Sequence, residues 1–481
     1  MPDFCKFYID GQWVDPIEAT AFEVVNPATE EAAGTISLGS EADVDRAVIA
    51  ARRAFNTYSQ STVAQKIDLF RSIIDAFVPR IPELSEAMMT EMGTPLWFAR
   101  DVQCGTPLQH FEHLITVLET HQTEYMMGTT RIIREPIGVC GLISPWNWPL
   151  NQIVTKFASA LAAGCTVVVK PSEYSPFSAM LLAEVFHDAG VPAGVFNLVN
   201  GLGPTVGSAI SCHPDVDMVS FTGSTSAGIQ VARDAAGTVK RVHQELGGKS
   251  PNIIMPGADL EKAVAAGTLR AFANSGQSCQ APTRMLVHRD QLPQAVEIAR
   301  KAAEAVTVGD PRDSANRLGP LVNKSQFERV QSLIETGIAE GATLVAGGPG
   351  RPAGLNRGHF VKPTVFSDVT YDMTIAREEI FGPVIPIIAY DDIEHAVEIA
   401  NDTIYGLAGY VWAGSLDEAR AVGRRIRAGR IYLNGAPHGA FQDVTAPFGG
   451  YKQSGNGREV GVFGLEDFME IKAMIGYEMP A

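Results

Sequence analysis

Short runs of valine and isoleucine alternate with longer alanine-rich amphipathic segments between residues 137 and 254. This pattern predicts a parallel sheet covered by helices, because each return to a parallel strand needs a crossover that a helix usually supplies. The predicted strands are 139–143, 166–169, 195–199 and 218–221, and the predicted helices are 150–163, 179–189 and 225–235. Such a sheet binds ligands at the carboxyl ends of its strands, where Lys170, Ser224 and Glu245 lie in this prediction.

The same alternation begins again after Glu245, with a predicted helix at 260–273, a strand at 283–287 and a helix at 294–306. A chain of 481 residues is longer than one hydrophobic core usually serves. We therefore expect two or three domains. The second α/β unit carries Cys279 in the turn after its first helix.

The composition argues against several classes of protein. The net charge is −16 and no basic stripe is present, which argues against non-specific binding of nucleic acid, because phosphate contacts need clustered Lys and Arg. The uncharged stretch 137–155 contains two prolines, two asparagines and a glutamine, so we do not expect it to span a membrane. The amino terminus lacks the features of a targeting segment, and we expect a cytoplasmic protein.

The six cysteines stand at positions 5, 104, 140, 165, 212 and 279. They form no C-x-x-C pair, and no histidine stands at zinc-ligand spacing from them, so we expect neither a disulfide framework nor a metal site. This use of cysteine is typical of a reducing compartment.

Cys279 has the most informative surroundings of the six. It follows Gly276-Gln277-Ser278, and a second glycine-rich turn, Glu245-Leu246-Gly247-Gly248, comes earlier in the chain. A thiol and a carboxylate in two such turns fit a covalent nucleophile and a separate general base. A free thiol has a pKa of about 8.5 and needs activation to react as the thiolate.

Five segments in a fixed order resemble the aldehyde dehydrogenase superfamily. They are Pro145-Trp146-Asn147, Lys170-Pro171-Ser172-Glu173, Phe221-Thr222-Gly223-Ser224, the turn that begins at Glu245, and Gly276-Gln277-Ser278-Cys279. The resemblance runs from Ile9-Asp10-Gly11 to the segment 447–455. It implies an α/β fold with a Rossmann-type NAD-binding domain (1–117 and 137–246), a second α/β catalytic domain (247–452) and a small β oligomerisation arm (118–136 and 453–481).

The resemblance assigns a role to each residue of the expected catalytic group. Cys279 adds as thiolate to the aldehyde, and Glu245 activates the water that hydrolyses the resulting thioester. Asn147 donates its side-chain amide to the developing oxyanion, with the backbone N–H of Cys279. Lys156 resembles a lysine assigned to proton relay, and a surface lysine on an amphipathic helix is the equal alternative.

The expected cofactor is NAD. By resemblance, Lys170 and Glu173 bind the adenosine ribose, and a glutamate there disfavours NADP, although some members with this residue accept both. The usual dinucleotide glycines are incomplete, because Val206 replaces the third one, and the family is known for a variant mode of binding. The residues expected to bind the cofactor are Ile143, Ser144, Trp146, Lys170, Ser172, Glu173, Gly203, Gly207, Phe221, Thr222, Gly223, Ser224, Leu246, Gly247, Glu379 and Phe381.

Four residues are expected to bind the aldehyde. Trp148 and Phe448 correspond to walls of the family's substrate tunnel. Gln280 follows the nucleophile, and Thr155 occupies a tunnel position, at points where relatives often carry other residues. These departures concern the choice of substrate, and the sequence leaves the aldehyde unidentified.

Two extended pieces, 129–134 and 467–474, have no helical pattern of their own and would leave exposed strand edges in a monomer. Pairing across subunits, as in the family's oligomerisation arms, would cover them. We therefore expect a homo-oligomer, either a dimer or a tetramer.

Two alternative functions stay open at this stage. A CoA-acylating dehydrogenase would resolve the thioester with a thiol, and such members commonly lack the residue equivalent to Glu245. A non-catalytic protein on the same scaffold would be expected to have lost Cys279, Glu245 or Asn147, and all three are present.

Overall fold

The computed structural model describes residues 3–436 and 443–478. Its largest sheet has eight strands, of which the central five are parallel. In spatial order the strands are Gly455–Asn456, Arg241–Glu245, Met218–Thr222, Val139–Ile143, Thr166–Lys170, Phe196–Leu198, Phe7–Ile9 and Gln12–Val14. We call this the first sheet.

Both faces of the first sheet are covered, which explains its nearly continuous apolar strands. Cys140 and Leu142 point into one buried cluster, whereas Val139 and Ile143 of the same strand point into another. This alternation follows from the two-residue period of a strand. The predicted strand 139–143 and the predicted helix 225–235 are confirmed at their exact bounds.

A second sheet of seven strands follows in the chain. Six of its strands are parallel to one another, and the edge strand Thr343–Ala346 is antiparallel to its neighbour. In spatial order the strands are Thr343–Ala346, Thr364–Ser367, Val384–Tyr390, Arg284–His288, Pro251–Ile254, Ala408–Trp412 and Arg430–Leu433. The chain passes from the first sheet to the second between Glu245 and Pro251, where the sequence places the domain boundary.

Sixteen α-helical segments are present in the described residues. They are Glu41–Tyr58, Val63–Phe77, Ile81–Met92, Leu96–Phe98, Gly105–Thr120, Pro149–Ala163, Phe177–Asp188, Ser208–Cys212, Thr225–Ala235, Leu260–Phe272, Leu292–Glu304, Lys324–Ala339, Thr374–Arg377, Ile393–Asn401, Leu416–Gly423 and Gly461–Asp467. Within the described ranges, none of these helices is long and apolar enough to cross a bilayer.

Two small sheets complete the molecule. One, near the amino terminus, has the order Asp3–Phe4, Glu31–Leu38, Thr20–Asn26. The other has the order Met469–Met474, Thr130–Pro136, Glu124–Met127, and both of its pairings are antiparallel. We call this second one the arm sheet.

The arm sheet corrects one expectation from the sequence. The segments 129–134 and 467–474 pair with each other within one chain, and Thr130–Pro136 has a partner on both sides. Among the described residues one edge of this sheet is Met469–Met474, as expected, and the other is Glu124–Met127, a strand that the sequence pattern does not show. The segment assigned to the arm also begins too early, because Gly455–Asn456 pairs with Arg241–Glu245 in the first sheet.

Candidate active site

The loop that carries Cys279 is held in an unusual backbone conformation. After the helix Leu260–Phe272, residues Asn274 and Ser275 have φ angles of 55° and 57°, which non-glycine residues seldom adopt. Gly276 also has a positive φ of 75°, and a Cβ atom there would lie 2.1 Å from the backbone of Gly382. The loop can therefore approach its neighbour only with glycine at this position.

A network of side-chain amides fixes this loop against Asn147. The Asn274 Nδ2 atom donates to the carbonyl oxygens of Asn147 (2.9 Å) and Gln277 (3.2 Å). The Asn147 Nδ2 atom donates to the same Gln277 carbonyl at 3.0 Å. One N–H bond of the Asn147 amide is thus committed, and the amide is held beside the loop that carries Cys279.

Cys279 lies where two cavities meet. The first cavity is lined by Trp148, Thr155, Gln280 and Phe448, which are the four residues expected to bind the aldehyde, and by Cys279. The second is lined by Asn147, Glu245 and Cys279 together with Trp146, Thr222, Gly223, Ser224, Gly247, Glu379 and Phe381. The thiol is therefore reachable from both sides.

Glu245 ends its strand fully buried in the second cavity wall. Within the described residues, neither of its carboxylate oxygens has a hydrogen-bond partner of normal geometry. Burial, followed by the charge of Glu459, raises the pKa of Glu245 to about 8. A carboxylate with this pKa is a much stronger base than an exposed one, and it titrates close to neutral pH.

Burial and the neighbouring Glu245 charge raise the pKa of the Cys279 thiol well above its usual range. These surroundings therefore favour the protonated thiol over the thiolate. A positive charge beside the sulfur would favour the thiolate. Gly248 brings the two turns together, because a Cβ atom there would lie 2.3 Å from the Cys279 carbonyl oxygen.

Lys156 is buried, which rules out the alternative of a surface lysine. Its Nζ atom donates to Thr222 Oγ1 at 2.6 Å and forms a very short contact with Glu459 Oε1. Thr222 stands opposite Glu245 in the first sheet. The lysine therefore belongs to a buried charged group near Glu245, and the sequence pattern did not indicate Glu459 as a member of this group.

The second cavity has features suited to a dinucleotide. The Trp146 and Phe381 rings pack edge to face with centroids 5.4 Å apart. Glu379 Oε1 accepts the Gly248 N–H at 2.9 Å, and burial raises the Glu379 pKa to about 7. Ser224 caps the helix Thr225–Ala235, where free N–H groups and the helix dipole favour an anion.

Other residues expected to bind the cofactor lie at or behind the same edge of the sheet. Lys170 is buried, and its Nζ atom lies 3.3 Å from Glu173 Oε2. The backbone N–H of Ser144 donates to the Lys170 carbonyl oxygen, and Ser172 Oγ accepts from Tyr174 N. Gly203–Gly207 forms one helical turn before Ser208–Cys212. The side chains of Ile143, Phe221 and Leu246 belong to the buried core beneath and do not line the second cavity.

Contacts hold several of the aldehyde-cavity residues in place. Trp148 Nε1 donates to Ser278 Oγ at 3.1 Å. Gln280 is fixed twice, since the Tyr410 hydroxyl donates to its carbonyl oxygen and the Tyr432 hydroxyl to its Oε1 atom, both at 2.8 Å. Thr155 Oγ1 lies 3.1 Å from His110 Nε2.

Sequence reasoning missed His110, Arg430 and Glu459 among the lining residues of the first cavity. The Arg430 guanidinium group donates to the backbone carbonyls of Asp443, Ala446 and Pro447, so it is committed to holding the chain there. Burial lowers the His110 pKa to about 4, so this ring is neutral at physiological pH.

Residues 13–474 match the model of the aldehyde dehydrogenase family. The chain belongs to the aldehyde dehydrogenase family. It is 54% identical to a 3-succinoylsemialdehyde-pyridine dehydrogenase of a Pseudomonas species over 99% of this chain and all of that protein. A mutant of aldehyde dehydrogenase C from Pseudomonas syringae, solved with NAD+ and octanal, is 52% identical with a TM-score of 0.97, covering 99% of this chain and 98% of that one.

A further solved member is the NAD+ complex of a Bacillus cereus aldehyde dehydrogenase. It is 40% identical with a TM-score of 0.94, and the match covers 98% of this chain and 96% of that one. These matches confirm the family and the α/β fold predicted from the sequence. The chain is therefore an oxidoreductase that oxidises aldehydes.

Proposed function

We propose that this aldehyde dehydrogenase uses NAD to oxidise an aldehyde to its carboxylic acid through a thioester on Cys279. The observation that carries this proposal is the position of Cys279 between the two cavities, with Glu245 buried beside it. The first cavity is the aldehyde site, and the second is the cofactor site.

The residues of the second cavity fit NAD. Glu379 is held by the Gly248 N–H and can accept hydrogen bonds from ribose hydroxyl groups. The free N–H groups at the start of the helix Thr225–Ala235 can bind a pyrophosphate. Lys170 and Glu173, at and after the end of the strand Thr166–Lys170, are assigned to the adenosine ribose by resemblance to the family, and the Glu173 carboxylate would repel a 2′-phosphate. When bound, NAD supplies the hydride acceptor and a positive nicotinamide ring near the thiol.

The chain's own residues account for the rest of the reaction. The Cys279 thiol gives its proton to water in the cavities that it lines, and the sulfur forms a bond to the aldehyde carbon. Asn147 and the Cys279 N–H stabilise the oxyanion. The oxyanion's electron pair forms the thioester carbonyl as the C–H hydride leaves. Glu245 then takes a proton from water, which attacks the thioester, and the C–S bond breaks to release the acid.

Lys156 is proposed to relay protons from this base, because it is buried and contacts both Thr222 and Glu459. The alternative of CoA acylation is disfavoured, because transfer to a thiol has no use for a water-activating base such as Glu245. The presence of Cys279, Glu245 and Asn147 together also disfavours a non-catalytic role.

We propose that the enzyme works as a homo-oligomer in the cytoplasm. The arm sheet leaves an unpaired edge at Met469–Met474, and Ile471 and Ile475 beside it are 67% and 86% exposed. A symmetric partner would cover this edge and these side chains. A reducing compartment keeps the Cys279 thiol available for catalysis.

The test is oxidation of an aldehyde panel with NAD, followed by the absorbance of NADH. Octanal and 3-succinoylsemialdehyde-pyridine are the first choices. The Pseudomonas syringae relative was solved with octanal, and the Pseudomonas relative is a dehydrogenase named for the second compound. The Cys279→Ser variant should lose at least 99% of turnover, while NAD binding measured by protein fluorescence persists. Cys212→Ser, at an exposed cysteine, is the matched control and should keep full activity.

A further inference from the structure

His243 lies two residues before Glu245 on the strand Arg241–Glu245, so both side chains point to the same face of the first sheet. His243 is 2% exposed. Its Nδ1 atom forms a very short contact with Asp467 Oδ2. Its Nε2 atom has no hydrogen-bond partner in the part of the chain that the structure describes, and it lies 3.9 Å from Glu459 Oε1.

The chain packs closely around this pair. Gly457 has a φ angle of 78°, and a Cβ atom there would lie 2.8 Å from His243 Nδ1 and 3.0 Å from Asp467 Oδ2. The Asp467 side chain is 22% exposed, whereas that of Glu459 is 5% exposed. Lys156, Glu459, His243 and Asp467 therefore form a row that begins behind the base and ends at solvent.

The proposed function, on which this inference rests, requires a path along which protons leave the active site. Each turnover releases two protons, one from the thiol and one from water, because the product leaves as a carboxylate. Glu245 is fully buried and lines the second cavity, which a bound cofactor would fill. A buried base can act repeatedly only if its proton is passed onward.

We propose that His243 passes protons from Glu459 to Asp467 and on to solvent. Asp467 accepts the Nδ1 proton of the neutral ring, which leaves the Nε2 lone pair facing Glu459. Nε2 takes a proton from the protonated Glu459 carboxyl, and Nδ1 gives one to Asp467, which releases it to solvent. The neutral imidazole then carries its proton on Nε2, and rotation of the ring restores the starting arrangement before the next transfer. The gap of 3.9 Å is too short for a bridging water and closes with a side-chain shift of about 1 Å.

The charges around the ring fit this direction of transfer. Glu459 and Asp467 face it from the segment that contains the helix Gly461–Asp467, Lys156 lies behind Glu459, and Glu245 and Arg241 share its strand face. The Arg241 guanidinium group donates to the carbonyl oxygens of Asp467 and Met469, which holds Asp467 in place. His243 lines neither cavity and acts on the reaction only through Glu459.

The test compares the wild-type enzyme with His243→Asn in stopped flow, with NAD and octanal or the best aldehyde of the panel. NADH absorbance reports hydride transfer, and a pH indicator reports proton release to the bulk. In the variant we expect the NADH burst to keep its rate within twofold, while proton release and steady turnover fall about tenfold. Added imidazole buffer should restore part of the loss.

His213→Asn is the matched control, because His213 also contacts an aspartate, Asp45, but at the surface. If His243→Asn folds poorly, Asp467→Asn removes the exit while keeping the ring. Wild-type proton release and turnover in either folded variant would overturn the proposal, and so would equal loss of the burst and turnover, which indicates a structural role. A wild-type enzyme that oxidises no aldehyde would instead contradict the proposed function.

Discussion

At the scale of single residues, Glu245 is a carboxyl group placed where its ionisation costs stability. Its folded pKa is about 8 against an ordinary 4.5. Between these values the folded protein binds more protons than the unfolded chain, so this group makes stability fall as pH rises from about 5 to about 8. The cost is at most about 1.4 kcal/mol per pH unit.

Glu245→Gln should therefore unfold at a higher temperature than the wild type, because the amide cannot ionise. We expect a difference of several degrees at pH 8.5 that shrinks towards pH 5, measured by thermal unfolding across this range. Glu86→Gln changes an exposed glutamate and should show no such trend. A pH-independent difference for Glu245→Gln would contradict the burial argument.

The same substitution separates the two halves of the reaction. Formation of the thioester needs no attacking water, so a burst of NADH should persist in Glu245→Gln. Steady turnover should fall about a hundredfold or more, because hydrolysis of the thioester loses its base. Rapid mixing of enzyme, NAD and aldehyde measures both phases. Full steady turnover in this variant would remove Glu245 from the water step.

The sequence could predict that Cys279, Glu245 and Asn147 share one site, because each lies in a short motif that suggests its own chemistry. It could not predict Glu459 or His243. Glu459 contacts Lys156, which lies 303 positions earlier in the chain. Neither Glu459 nor His243 stands in a local sequence pattern that suggests catalysis. Only the packing of the Gly461–Asp467 segment against the first sheet brings these groups together.

At the scale of elements, the loop after the strand Thr166–Lys170 is the expected determinant of cofactor choice. Glu173 is partly exposed and paired with the buried Lys170. Its carboxylate can accept hydrogen bonds from a ribose diol, and it would repel a 2′-phosphate.

Glu173→Gln should consequently raise kcat/KM for NADP relative to NAD by about tenfold, since the charge repulsion is removed while the size of the side chain is kept. Steady-state kinetics with both cofactors measures the ratio. Glu184→Gln, on the following helix Phe177–Asp188, serves as the control. An unchanged ratio in Glu173→Gln would place the discrimination elsewhere.

Elements with a strong apolar pattern were predictable, and those without one were not. The strand Val139–Ile143 is buried at every position, and its run of apolar residues is visible in the sequence. The strand Glu124–Met127 is largely exposed, so burial imposes no alternation on it. This strand forms because it pairs with Thr130–Pro136, and such pairing is not visible in the local sequence.

At the scale of the whole molecule, the arm sheet is the feature that presents a strand edge and apolar side chains to solvent in a single chain. Ile471→Asp combined with Ile475→Asp places two charges on exposed apolar positions without disturbing the described core. We expect the mass measured by light scattering to fall from a dimer or tetramer towards about 52 kDa, because a charge buried at an interface is costly.

Ile49→Asp, on the helix Glu41–Tyr58 and 55% exposed, is the control and should leave the mass unchanged. A wild-type enzyme that is itself a monodisperse monomer at micromolar concentration would contradict the assignment of the arm. The assignments of Cys279 and Glu245 would not be affected by that result.

The position of Cys279 between two separate cavities also bears on the order of events in turnover. Neither ligand has to pass the other to reach the sulfur, so the acid can depart through its own opening while the reduced nucleotide is still in place. Added carboxylate product should then compete with aldehyde but not with NAD, and NADH should compete with NAD but not with aldehyde.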